Sequence, residues 1–309
     1  MKAGRGKILV IRGGAIGDFI LTLPALAALR RQFPDTRLEV LGYPHIAQLA
    51  LAGGLVDDVK SIEARALAGF FARDGELDES LAGYFAGFAL IISYLFDPDE
   101  IFKNNVARCS TAQFINGPHR PDEKLALHAA ETFLKPLERL AIYDADPAPR
   151  LPITRQPSTL NQLALHPGSG SERKNWPEEN WMRLIQHFQS ATRFDLLIVG
   201  GEAEGDCVRR LATLVPAARL HLAQNLPLAE LAWRLAQCDG FVGHDSGISH
   251  LAAAVGLPVL ALWGLTNDAI WRPRGERVTV LRSPEGLQGL SVERVIDESC
   301  RFLAVQKSS

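Results

Sequence analysis

Short apolar runs of five to seven residues, rich in Val, Ile and Leu, alternate with longer helix-like segments along this chain, and the alternation happens twice. A strand that is apolar along its whole length has both faces covered, so the pattern is that of parallel sheets wrapped by crossover helices, an α/β fold. In the first half the runs predict strands near 7–12, 37–43, 57–63, 89–95 and 112–117, closed by a long helix near 124–141. The span 143–159 then gathers Pro147, Pro149, Pro152 and Pro157 and reads as a stiff linker. Strands restart near 161–166, 195–200, 218–222, 240–244 and 259–263, and an amphipathic helix, 291–305, ends the set. We expect two doubly wound domains, 1–150 and 151–309, facing a central cleft at the carboxyl ends of their strands, where such sheets bind ligands. The last helix has the option of packing back on the first domain.

Composition narrows the functions open to such a fold. With 47% hydrophobic residues, 22% charged and a net charge of −2, nothing attracts a polyanion, and nucleic-acid binding is not expected. Cys109, Cys207, Cys238 and Cys300 are scattered without metal-type or disulfide-type spacing, which fits reduced thiols in a cytoplasmic setting, and no metal is expected. The apolar run before Arg12 is four residues long, too short for a signal-peptide core. Residues 81–96 are uncharged but fall short of the roughly 20 needed to span a bilayer; they read as a helix end followed by a buried strand.

Four stretches carry candidate chemistry. "IRGGAIGDFILTLPAL" runs from a strand through Gly13, Gly14 and Gly17 to Asp18 and an apolar helix. As a dinucleotide fingerprint it has Arg12 where the first glycine belongs, although Glu39 stands about where a ribose-binding acid is expected. Asp18 is open to two readings, a helix cap or a base that takes a proton from an incoming hydroxyl. In "HPGSGSERKNWPEENW" the residues Ser169, Ser171, Arg173 and Lys174 gather after a strand ending at His166, as a phosphate cradle or a solvated turn. "VGGEAEGD" offers Glu202 and Glu204 as ribose-holding acids or as ordinary first-turn carboxylates. "GHDSGISHLAAAVG" interrupts an apolar stretch with Asp245, Ser246, Gly247, Ser249 and His250, all at one helix start, where free N–H groups favour an anion.

Taken in order, "GGAIGDFILTLPAL", "HPGSGSERKNWPEENW" and "HDSGISHLAAAVGLP" resemble the heptosyltransferases of glycosyltransferase family 9. The resemblance implies a GT-B fold of two Rossmann-like domains, with the acceptor on the first and the nucleotide-sugar on the second, and metal-independent transfer with inversion. No cofactor is implied. It assigns Asp18 as general base, Lys174 to the donor phosphate, and Asp245, Ser246, Gly247, Ser249 and His250 to the diphosphate segment, and the loop reading adds Ser169 to the phosphate contacts. Glu204 and Glu202 fall near the nucleoside, and Gly14 and Gly17 fall to the acceptor side; in 64–123, where few residues align, Lys103, Arg108 and Arg120 read either as contacts to an acidic acceptor or as ordinary solvated charges. The implied partners are an ADP-heptose-like donor and a glycan or lipid-linked glycan acceptor. Contact with the inner face of the inner membrane would be peripheral at most. Two other readings stay open at this point: an NAD-dependent oxidoreductase using the turn at 12–17 with Glu39, and a non-catalytic nucleotide-sugar binder.

Overall fold

The computed structural model describes residues 6–156, 161–170, 174–201 and 204–305. The chain divides into two compact units, Met1–Pro147 and Ala148–Ser309. In the first, strands β1 (Lys7–Arg12), β2 (Leu38–Gly42), β3 (Asp58–Ser61), β4 (Phe88–Ser93) and β5 (Gln113–Asn116) form one parallel sheet in the order β3-β2-β1-β4-β5. Helices α1 (Ile16–Ile20), α2 (Leu23–Gln32), α3 (Pro44–Ala52), α4 (Ala68–Phe71), α5 (Glu79–Ala86), α6 (Ile101–Ala107) and α7 (Ala129–Leu134) make the crossovers. Leu9, Ile11, Leu41 and Ile91 pack against Phe70, Phe85 and Phe102 in one core. Burying each such side chain contributes about 1.5–3 kcal/mol.

The second unit holds β6 (Gln162–His166), β7 (Asp195–Gly200), β8 (Leu220–Gln224), β9 (Gly240–His244), β10 (Val259–Trp263) and β11 (Val278–Arg282) in the order β11-β10-β9-β6-β7-β8, again all parallel. Its helices are α8 (Glu178–Ala191), α9 (Gly205–Ala212), α10 (Leu228–Ala236), α11 (Gly247–Ala254), α12 (Asp268–Trp271) and α13 (Val292–Val305). Trp176, Trp181 and Phe188 cover Leu165, Ile198, Val242 and Leu262 in its core. Helix α13 lies against α8 and β9. A Cβ on Gly240 of β9 would stand 2.5 Å from the Phe302 ring, so the absence of a side chain there lets the helix seat.

Two expectations are corrected. The stretch 124–141 is not one long helix. It breaks into a 3-10 turn at Glu123–Leu125, the six-residue α7, and a second 3-10 segment at Lys135–Leu140. The side chain of His128 accepts the Ala130 N–H at 3.2 Å and so starts α7 afresh, while Pro136, which has no N–H to donate, ends its α-helical ladder. Strand β11 was not expected at all. It is a half-exposed edge strand whose apolar residues alternate with Thr279 and Arg282, so it lacks the continuous apolar run of its neighbours. The uncharged stretch 81–96 divides between α5 and β4, and among the described residues no helix is long and apolar enough to cross a membrane.

Candidate active site

Each sheet reverses its winding once, between β1 and β4 in the first and between β6 and β9 in the second. Ligands of doubly wound sheets bind at the strand ends beside such a reversal. In the first unit β1 ends there in Arg12, and the chain turns through Gly13 and Gly14 into α1. Gly14 has φ +102°, a conformation that favours glycine, and a Cβ on it would approach Asp18 Oδ2 to 3.1 Å. Asp18 is the third residue of α1, and its Oδ2 accepts the Ala15 N–H at 3.2 Å, so the capping role is real. Behind it lies Arg12, whose guanidinium donates to the Asp18 carbonyl at 3.2 Å and to the His119 carbonyl at 3.0 Å and stands 3.7 Å from Asp18 Oδ1. It also stacks 4.3 Å from the centre of the Phe133 ring. Burial pulls the Arg12 pKa down from its usual value, and Asp18 opposes that pull.

A pocket of about 520 Å³ opens over this pair. Arg12, Gly14 and Asp18 line it, together with Tyr43, Glu63, Phe71, Phe96, His119 and Arg120. Of the basic residues singled out in the sequence, Arg120 therefore joins Asp18. Lys103 and Arg108 do not line this pocket: Lys103 Nζ donates to Glu100 Oε1 at 2.7 Å, and Arg108 donates to the Gly75 carbonyl at 2.7 Å. Gly17 is half-buried inside α1 and contributes its carbonyl to the helix ladder rather than to the pocket. Nearby, Asp97 caps α6 through the Phe102 and Lys103 amides, and Asp99 stands 3.9 Å from Arg73.

Glu39 removes the dinucleotide alternative. A ribose-binding acid belongs at the carboxyl end of β2, whereas Glu39 is the second residue of that strand, three residues or about 10 Å before its end. It is buried and tied to Arg37 Nε at 2.6 Å and Lys7 Nζ at 3.5 Å.

In the second unit the strand ends are His166 and His244, both buried. The His244 ring accepts the Trp176 N–H through Nε2 at 2.8 Å, which leaves Nδ1 as the donor to the Gly168 carbonyl at 3.2 Å. Burial pushes His244 down to about 3 and His166 to about 4, so both rings are neutral at neutral pH. Helix α11 begins just beyond. Ser246 is its N-cap, accepting the Ser249 N–H at 3.4 Å, with His166 Nδ1 3.3 Å from the same hydroxyl. Gly247 opens the first turn, the Ser249 hydroxyl donates back to the His244 carbonyl, and His250 is buried. That first turn holds no acidic residue, so the positive end of the helix is not neutralised from within.

Lys174 reaches across to this start, its Nζ 2.7 Å from Asp245 Oδ2. Ser169 donates to Asn175 Oδ1 at 2.7 Å, which shapes the loop after β6. Glu204 joins two loops, accepting the Gly170 N–H at 3.2 Å and the Gly201 N–H at 2.9 Å. Glu202, Ser171 and Arg173 lie outside the described residues. Among the described residues no group of three His, Cys, Asp or Glu side chains is arranged to hold a metal ion.

The sequence reasoning missed Arg12 and His244 as site residues. Each carried a signal, since a polar residue ending an otherwise apolar strand must find hydrogen-bond partners.

Residues 137–296 match the family model described as glycosyltransferase family 9 (heptosyltransferase). The chain is 21% identical over 291 residues to lipopolysaccharide heptosyltransferase 3 of Escherichia coli, covering 83% of each protein. Its fold superposes on the glycosyl transferase family 9 protein of Veillonella parvula with a TM-score of 0.80, at 20% identity, covering 98% of this chain and 99% of that one. For the E. coli heptosyltransferase WaaC, solved with ADP, the TM-score is 0.76 at 19% identity, over 96% of this chain and 99% of that one. The motif order, the two doubly wound sheets and the family match over more than half the chain agree, and the protein belongs to glycosyltransferase family 9, the heptosyltransferases.

Proposed function

We propose that this glycosyltransferase moves a heptose from ADP-heptose to a lipopolysaccharide-core glycan, with inversion at the sugar carbon and without a metal ion. The observation that carries this reading is the start of α11: a capped helix N-terminus with no acid in its first turn and an ammonium, Lys174, beside it. Such an arrangement suits a leaving diphosphate. Its counterpart is a carboxylate in the pocket of the other unit, suited to an arriving alcohol. The acceptor hydroxyl loses its proton to Asp18 as its oxygen bonds to the anomeric carbon, and the bond from that carbon to the diphosphate oxygen breaks. ADP leaves with the bonding pair, and the growing charge is met by Lys174 and the first turn of α11. Fixed donors of this kind supply the charge stabilisation that a metal supplies elsewhere. Glu204 orders the loop that would hold the nucleoside end. The relatives with this chemistry in their names include a structure solved with ADP, which favours ADP as the leaving group. A lipid-linked acceptor would bring the protein to the cytoplasmic face of the inner membrane, in peripheral contact only.

Asp18→Asn tests the assignment because it keeps the size of the side chain and leaves Oδ1 and Nδ2 in the same pocket. Turnover should fall by about 10²–10⁴, the usual span of general-base catalysis, while calorimetric affinity for ADP-heptose stays as it was. ADP release should require acceptor in the wild-type protein, which distinguishes a transferase from a mere binder. Undiminished turnover in the variant removes Asp18 from the chemistry.

A further inference from the structure

The acceptor pocket holds an apolar feature that charge chemistry does not explain. The chain has fourteen phenylalanines, all within the described residues, and only Phe71 and Phe96 are exposed. Phe96 is 70% exposed and Phe71 45%, and both line the pocket over Asp18. The remaining twelve are buried or half-buried. A single exposed apolar side chain is ordinary on a protein surface, but two large exposed rings lining one pocket beside a carboxylate leave apolar area in water that a ligand would cover.

Phe96 is also held in place. It follows β4 by three residues, at the sheet reversal, and its ring stands 4.6 Å from the His119 ring, on the loop whose carbonyl Arg12 grips. Burial, and then the cations Arg120 and Arg12, hold the His119 pKa below its usual value, so a neutral ring backs the phenyl group. Leu95, next to it in the chain, and Ile62 add apolar lining to the same pocket.

We propose that Phe96, aided by Phe71, is the platform on which the ring of the acceptor sugar stacks, and that this apolar contact selects the acceptor residue whose hydroxyl is presented to Asp18. A pyranose carries C–H groups on one face and hydroxyls round its edge. The C–H face fits an aromatic ring, while the edge falls to Asp18, Glu63, Tyr43 and Arg120 in the same pocket. Acceptors with an axial hydroxyl on the stacked face are excluded by this contact. The inference rests on the pocket being the acceptor site, as read above.

Phe96→Ala decides it, because so exposed a side chain can be removed without loss of the fold. With delipidated lipopolysaccharide from a heptose-deficient strain as acceptor, KM for acceptor should rise about tenfold, the size of one lost aromatic contact. The kcat at saturating acceptor and the affinity for ADP-heptose should hold within twofold, and Phe96→Trp should restore the acceptor KM. An unchanged acceptor KM, or a loss that appears in donor affinity instead, overturns the platform. Asp18→Asn in the same assay separates the two ideas: if it abolishes turnover while Phe96→Ala leaves KM unmoved, the base stands and the platform falls.

Discussion

The two reversal points carry the same local architecture with the charges in opposite order. At the end of β1 the anion is in front, with the Asp18 side chain 25% exposed and the Arg12 side chain behind it 2% exposed. At the end of β9 the cation is in front, with Lys174 42% exposed and Asp245 behind it 12% exposed. The helix starts differ in the same sense. The third residue of α1 is Asp18, whereas the third residue of α11 is Ser249, whose hydroxyl is spent on the carbonyl of His244. A carboxylate in the first turn answers the helix dipole and leaves nothing for an outside anion; a hydroxyl turned inward leaves it unanswered. The fold supplies two equivalent positions, and on the proposed reading the sign at one helical position decides which reactant each one faces.

The comparison can be broken most forcefully with acid, because the two strand-end histidines behind the second site are buried and held neutral. His166 and His244 have folded pKa values of about 4 and about 3, below the value near 6.5 of an unfolded chain. Between those limits the unfolded state binds more protons than the native one. Stability is therefore full above about pH 6.5 and drains as pH falls, by up to about 1.4 kcal/mol per pH unit for each histidine. In the first unit His119 is shifted the same way, but it is exposed and its shift is smaller. All five tryptophans, Trp176, Trp181, Trp233, Trp263 and Trp271, belong to the second unit, and all four tyrosines, Tyr43, Tyr84, Tyr94 and Tyr143, to the first. Tryptophan emission should therefore report unfolding at a higher pH than tyrosine absorbance does. Coincident transitions would mean that the histidines do not set the acid limit.

A smaller effect, in binding alone, comes from making the second helix start resemble the first. Asp caps a helix about as well as Ser, so Ser246→Asp should leave the melting temperature within a degree or two. It also places a negative charge at the start of α11, where the proposed diphosphate binds. ADP affinity should fall about a hundredfold, as expected of like charges a few ångströms apart in a partly screened site. If ADP binds this variant as before, the start of α11 is not the phosphate site.

What the sequence disclosed of this arrangement follows from how local each signal is. The runs at 7–12, 195–200 and 259–263 coincide with β1, β7 and β10, since a fully apolar strand announces itself without reference to its neighbours. The polar break at Asp245–Ser246 and the Gly-Gly-to-Asp18 turn were equally plain, because capping and positive-φ glycine are local chemistry. Arg12 was legible only as a defect in a glycine pattern. Its actual role depends on a carbonyl 107 residues away and on the Phe133 ring, which no spacing in the sequence reveals. The same holds for His244, whose tautomer is set by Trp176 from 68 residues upstream. Edge strand β11 and the broken stretch 124–141 were lost for a different reason: in both, an exposed face and a few side-chain bonds override the periodicity.

The mildest test of the reversed polarity removes the front charge of the second site. Lys174→Met keeps the length of the stem and loses the ammonium, so the favourable charge on the diphosphate disappears and the Asp245 carboxylate is left facing it without a partner. ADP affinity should fall by about ten- to thirtyfold, the scale of one charge-assisted contact at a half-exposed site. Part of that loss belongs to Asp245 rather than to Lys174, and the double variant Lys174→Met, Asp245→Asn separates the two. Removing the unmasked carboxylate should return a few-fold of affinity, about 1 kcal/mol or less, and the single variant Asp245→Asn closes the cycle that gives the coupling between the two side chains. If the carboxylate instead binds the donor directly, for instance through a sugar hydroxyl, the double variant will bind ADP-heptose more weakly than Lys174→Met alone while binding ADP better. Titrating both ligands against both variants thus shows whether Asp245 serves only to aim the ammonium or touches the sugar as well.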